Sequence, residues 1–337
     1  VSVLPVGSGT GVGSMPGTDP RIAAEISVGE TEFAFLPELP ARGLGADMVG
    51  RAAVLLVDMP MDVAPSGYRL SGRPSGLSRR ARDFLSADLD AFEEAWERAG
   101  LIGTDRTVKV QACGPFTLAA SVELAGGHKI LHDEGAWSDL VESMAEGLRV
   151  HADDVQKRTG AKVVVQVDEP LIGRVIEGSI KPLTRFNIIN PIPVQVVAEH
   201  YDNFITVVDR PVILHDCSSQ VSWDLLARSR FAGVSVDLAQ IRTGDLDGIG
   251  QLLDEGTEVV LGAVPATAPD KELAPEQVAA NCAELTDRIG LSRKVLAEQL
   301  VISPACGLAG ADADWATAAL TLCGKAAGGL HADPTSV

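Results

Sequence analysis

His215, Asp216 and Cys217 end the apolar run PVIL, and their spacing can do chemistry. In an extended segment alternate residues share a face, so the imidazole and the thiol can aim at one centre. Imidazole nitrogen and thiolate sulfur are ligands that zinc prefers. Cys306, in PACG after the apolar LVIS, offers a second sulfur, and Asp237, ending GVSVD, offers a carboxylate oxygen. Four ligands of mixed type from three strand ends would make a tetrahedral site. The competing reading of H-x-C is a core cysteine beside a loop histidine, and the arrival of Cys306 weighs against it.

A second group of residues could hold an organic substrate. Asp168, in Asp168-Glu169-Pro170, follows the buried-looking run VVVQV. A carboxylate there is costly unless paired, so it either caps a helix or meets a substrate ammonium group. Glu38, in LPELP, is either an exposed loop residue or a second acid on the same cation. Ser14, in GVGSMPG, is either an ordinary turn serine or part of a loop whose backbone N–H groups suit a carboxylate. Taken with the sulfur-rich centre, the functional readings describe a ligand with ammonium and carboxylate at one end and a thiol at the other, an amino-thiol acid such as homocysteine. The remaining cysteines read as packing groups: Cys113 at a tight Gly-Pro turn, Cys282 and Cys323 on helices among Ala and Leu. Five cysteines spread over the chain do not make a disulfide framework.

The elements that must position these groups recur in a simple pattern. Short Val/Ile/Leu-rich runs end near Ser14, Glu38, Cys113, Asp168, His215, Asp237, Val264 and Cys306. They lack clean alternation, as strands buried on both faces do. Helical segments separate most of them: Asp139 to Thr159 carries Leu140, Met144, Leu148 and Val155 at helical spacing, and Ser222 to Arg228 and Glu276 to Ile289 read alike. Strand then helix, repeated eight times, predicts an α/β fold, a single (β/α)8 TIM barrel over 1–337 with its site where the strands' C-terminal ends meet. An open doubly wound sheet is the alternative, but no GxGxxG loop follows the first strand. The stretch 47–101 is too long for a crossover. It reads as an insertion after the second strand: a β-hairpin from AAVLLVDM and GYRL, then an amphipathic helix from Leu77 to Ala99 with Leu85, Leu89, Phe92 and Trp96 on one face.

Composition narrows the class. A net charge of -18, with no cluster of Lys or Arg free of neighbouring acids, excludes an ordinary nucleic-acid binder. No apolar run approaches bilayer length, and the Gly-rich start lacks the basic flank and apolar centre of a signal peptide, so no membrane partner and a cytoplasmic location are expected.

With these residues in hand, GSMP, DEP, H-x-C, the acid ending the next strand and the final P-x-C-G-L resemble, in order and spacing from Gly13 to Leu308, the C-terminal barrel of cobalamin-independent methionine synthase. The resemblance implies a zinc-dependent methyltransferase that converts homocysteine to methionine. It implies zinc on His215, Cys217 and Cys306, with Asp237 where the family usually has glutamate. It also implies that Asp168 and Glu38 hold the amino group, with Ser14 near the substrate carboxylate. The match departs from the family in three places. The full-length enzyme has a second, N-terminal barrel that helps hold the folate. The tryptophan that stacks on the pterin corresponds to Ser121, and GAVPATAPD lacks the histidine thought to donate a proton. A methyl-corrinoid, or a corrinoid protein, is therefore expected as donor in place of methyltetrahydrofolate. Coenzyme M as acceptor, or a zinc-binding barrel that has lost activity, are the alternatives.

Overall fold

The computed structural model describes residues 2–182 and 188–337. In chain order the elements are α1 (Pro20–Glu30), β1 (Ala34–Phe35), α2 (Met48–Leu55), β2 (Met61–Ala64), β3 (Gly67–Leu70), α3 (Gly76–Arg98), β4 (Thr107–Cys113), α4 (Pro115–Ser121), α5 (Glu134–Thr159), β5 (Lys162–Asp168) and α6 (Ile172–Glu177). Then follow α7 (Val194–Val208), β6 (Val212–Asp216), α8 (Trp223–Arg228), β7 (Gly233–Asp237), α9 (Leu246–Asp254), β8 (Glu258–Val264), α10 (Pro275–Ile289), α11 (Lys294–Gln299), β9 (Leu300–Pro304) and α12 (Ala313–Ala332).

Seven strands pair in parallel in the order β1-β4-β5-β6-β7-β8-β9. The first apolar run closes the ring without forming a regular strand. Gly9 bridges to Ile302 on β9, and Ser14 bridges to Glu38 just beyond β1. Backbone hydrogen bonds lace the seam on both sides, Thr10 N to Ile302 O at 3.0 Å and Ile302 N to Ser8 O at 3.1 Å on one, Glu38 N to Gly13 O at 3.0 Å and Met15 N to Glu38 O at 2.8 Å on the other. All eight runs therefore contribute staves, and the fold is the expected barrel.

The strands sort their side chains by alternation. On β5, Val163, Val165 and Val167 pack outward into the main core, while Val164 joins Leu4, Phe33, Ile213, Val260 and Val301 in a separate apolar cluster that fills the barrel's lower interior. Above that plug, alternate positions turn polar: Lys109 and Gln111 on β4, Gln166 and Asp168 on β5, His215 on β6, Ser235 on β7 and Ser303 on β9, all buried. The change from apolar to polar along one face carries the site to the strands' C-terminal ends.

The helix expected over Leu77–Ala99 is α3, held at its start by Ser75, and Leu85, Leu89, Phe92 and Trp96 are buried. One expectation between residues 47 and 101 is corrected. AAVLLVDM is not a strand; its first half ends α2, whose N-terminus is capped by the Asp47 carboxylate accepting from Gly50 N at 2.9 Å. The hairpin is formed instead by β2 and β3, with Met61 opposite Leu70. A cap and a buried face over Ala52, Ala53 and Leu55 outweigh the β-branched composition of that stretch.

Candidate functional site

His215 Nδ1 lies 2.8 Å from Ser235 Oγ on the neighbouring strand. The tautomer in which Nδ1–H donates to the hydroxyl leaves the Nε2 lone pair free. That nitrogen is buried and has no hydrogen-bond partner among the described residues. An orphaned imidazole nitrogen in a buried place is costly unless something else meets it. Cys217 and Cys306 stand beside it: with His215 they present one donor atom each, all within 4.8 Å of one another. The two sulfurs are 3.2 Å apart and unbonded, and both cysteines are free. Cys306 is held far below the ordinary thiol range, to about 4, chiefly by the Cys217 thiol aimed at it. Cys217, as the partner that keeps its proton, is pushed upward. One imidazole nitrogen without a partner and two adjacent sulfurs, one already biased to thiolate, fit a zinc ion.

Asp237 does not join this group. By alternation with Ser235 it belongs to the inner face, and Cys306 and His215 are near enough to act on its charge. Its carboxylate, however, accepts from Ala239 N at 2.9 Å and caps the short turn that follows β7. A local N–H two residues on satisfies the shorter acid where it stands. The four-ligand set expected from the sequence is therefore three donors with a carboxylate at the rim.

The acids and Ser14 gather next to the sulfurs. A cavity of about 170 Å³ is lined by Ser14, Glu38, Asp168, His215, Cys217 and Cys306, together with Val12, Pro40, Met48, Pro170 and Gly307. That is room for a small molecule and not just a single water. Glu38 is buried, not a loop residue in solvent, and burial drives its pKa up to about 7 against the pull of Arg51. Its Oε1 takes Gln111 Nε2 at 3.2 Å and Arg51 Nε at 3.5 Å. Asp168 is also raised, by burial first, and its Oδ1 takes Gln166 Nε2 at 2.7 Å. Each acid thus commits one oxygen to the scaffold. Ser14 stands against Gly307, where a Cβ would meet its hydroxyl oxygen and turn that side chain aside.

Asp168 is not the helix cap that the sequence offered as an alternative. That work falls to Glu169, which accepts from Phe116 N at 2.9 Å, Thr117 N at 2.7 Å, Thr117 Oγ1 at 2.6 Å and the Tyr201 hydroxyl. Glu169 thereby ties the start of α4 to the end of β5, leaving Asp168 facing the cavity. Cys113, Cys282 and Cys323 are free and buried, and none of them joins the donor group. A larger cavity, about 830 Å³, lies at the opposite end of the barrel among Ser2, Arg106, Lys162 and Arg210. Barrel chemistry occupies the other face, and the converging donors are there.

Sequence reasoning missed Ser235, Lys109, Gln111 and Gln166. Each was marked by being polar inside an otherwise apolar run. Ser235→Ala is expected to weaken zinc binding about 10- to 100-fold, the usual effect of removing a group that orients a metal-binding histidine. Competition against a chromophoric chelator measures this, and an unchanged affinity would refute the orienting role.

Barrel, buried imidazole and paired thiols define a (β/α)8 protein with a candidate metal site at the strands' C-terminal ends. Residues 8–329 match the family described as cobalamin-independent synthase, catalytic domain, and the chain belongs to that family. It is a methyltransferase of the methionine-synthase type. A B12-independent methionine synthase from Shewanella sp. W3-18-1, solved in complex with selenomethionine, superposes with a TM-score of 0.62 at 12% identity, covering 98% of this chain and 100% of that one. A GH113 beta-mannanase, AaManA, from Alicyclobacillus acidocaldarius in complex with ManMIm overlaps more loosely, with a TM-score of 0.42 at 12% identity over 100% of this chain and 98% of that one. No curated protein matches the chain. The family's description runs against the corrinoid donor and corrinoid partner expected from the sequence. Among the described residues no helix is long and apolar enough to cross a membrane.

Proposed function

We propose that the protein methylates the thiol of homocysteine to give methionine, with zinc held by His215, Cys217 and Cys306. The observation that carries this reading is the shared cavity: a buried His Nε2 without a partner and two sulfurs at one wall, two buried acids at the other. Zinc, when bound, supplies the Lewis acidity that brings an incoming thiol to its nucleophilic form near neutral pH. The chain's own residues do the rest. Glu38 and Asp168 receive the ammonium group, Ser14 lies beside the carboxylate, and the thiol is thereby aimed at the sulfur-lined wall. Fixing that orientation supplies much of the rate. Asp237 at the rim is the candidate for a fourth ligand, reached by releasing its bond to Ala239. A reducing, cytoplasmic setting suits the unbonded sulfur pair.

The donor is the finer question. Ser121 turns its hydroxyl onto its own helix, to Thr117 O at 2.7 Å, and offers no ring to a pterin. The segment after β8 carries no histidine. These features argue against a stacked folate, and the family's description argues against a corrinoid. The test supplies zinc-loaded protein and homocysteine with methylcobalamin or methyltetrahydrofolate in parallel. Methionine is expected with one donor and is lost on chelation. Zinc bound tightly with no methionine from either donor would show a barrel that has lost activity. Turnover with the folate alone would retire the corrinoid.

A further inference from the structure

Lys109 is fully buried in the barrel, yet among the described residues no carboxylate lies within ion-pair distance of it. Its Nζ donates to the Val12 carbonyl at 2.9 Å and reaches Gln111 Oε1 at 3.5 Å. The same Val12 carbonyl accepts from Gln166 Nε2 at 2.9 Å. The two glutamines then continue upward, each to one acid of the cavity, Gln111 Nε2 to Glu38 Oε1 and Gln166 Nε2 to Asp168 Oδ1. Gln111 Nε2 also donates to Leu36 O at 2.6 Å, so its amide has only one sensible orientation: oxygen toward the lysine, nitrogen toward Glu38. A fully buried ammonium is expensive, and burial pulls this one down to about 7 while Asp168 and Glu38 hold it up. A stability-only layer would be better filled by an apolar side chain.

We propose that Lys109 is a positioning residue for the substrate's amine. Slung from the Val12 carbonyl, it fixes Gln111, and with Gln166 it pins one oxygen of each acid, so that the other oxygen of each is aimed at an ammonium group. The proposal rests on the reading of Glu38 and Asp168 given under Proposed function. It adds that recognition of an α-amino thiol, as distinct from any thiol, is set one layer below the residues that touch it.

The test compares homocysteine with 4-mercaptobutanoate, which keeps the carboxylate and thiol and lacks the amine, in wild type and Lys109→Met. In the variant the preference for homocysteine is expected to fall about tenfold, the usual effect of removing a group that orients a contacting one. The loss should appear in the homocysteine KM, not in kcat, with zinc content unchanged. Equal losses toward both thiols would show mere packing, and an unchanged preference would show no role; either overturns the proposal. If Lys109→Met does not fold, Gln166→Met takes its place in the same assay with the same expected tenfold fall. A wild type that does not distinguish the two thiols would instead overturn the amine-binding assignment itself, and that outcome is visible before any variant is made.

Discussion

Cys217→Ser or Cys306→Ser is expected to lower zinc affinity by about two orders of magnitude and to abolish thiol methylation. Complete zinc sites contribute roughly 12 kcal/mol, and one ligand in four is worth about 3 kcal/mol of it. The loss should be at least this large here, because three donors converge among the described residues. Serine keeps the size of the side chain but offers a hydroxyl, which does not ionise near neutral pH. Isothermal titration with zinc and the rate of methionine formation are the two readings. Retention of both in either variant would remove the metal from the reaction. The fold should tolerate the change, since the two sulfurs sit at the cavity wall and are not fully buried.

Asp168→Asn is expected to raise the homocysteine KM on the order of 100-fold, since a buried charge-assisted hydrogen bond is worth about 3 kcal/mol when one partner is lost. Asparagine can still meet Gln166, so the scaffold survives while the charge is gone. The rate with 4-mercaptobutanoate should change far less. Equal damage to both thiols would mean that Asp168 supports the sulfur wall, where His215 is its neighbour in register, and does not bind the amine.

The barrel was legible in the sequence because each stave ends in its own punctuation, and all eight runs lie where they were read. The hairpin was misplaced because AAVLLVD is as apolar as a strand, and the decisive signal was a single capping aspartate, Asp47. His215, Cys217 and Cys306 could be paired across 89 residues because a barrel brings every strand end to one mouth. Asp237 shows the limit of that logic. Strand position brings a residue to the rim, but the rotamer follows the nearest donor, and a local N–H is invisible at the level of spacing. The layer beneath the site was missed for a different cause. Lys109, Gln111 and Gln166 stand within runs that read as hydrophobic when averaged, and their meaning lies in one-residue alternation.

The stave formed by residues 9 to 14 is not a regular strand, being joined to its neighbours by two isolated bridges and scattered backbone hydrogen bonds, and it carries Val12 and Ser14. A molecule lodged between Ser14, Glu38 and Asp168 would touch both sides of that irregular joint and act as a rivet across it. The amino-acid end of the substrate would then brace the cylinder at its one irregular stave while the other end reacts.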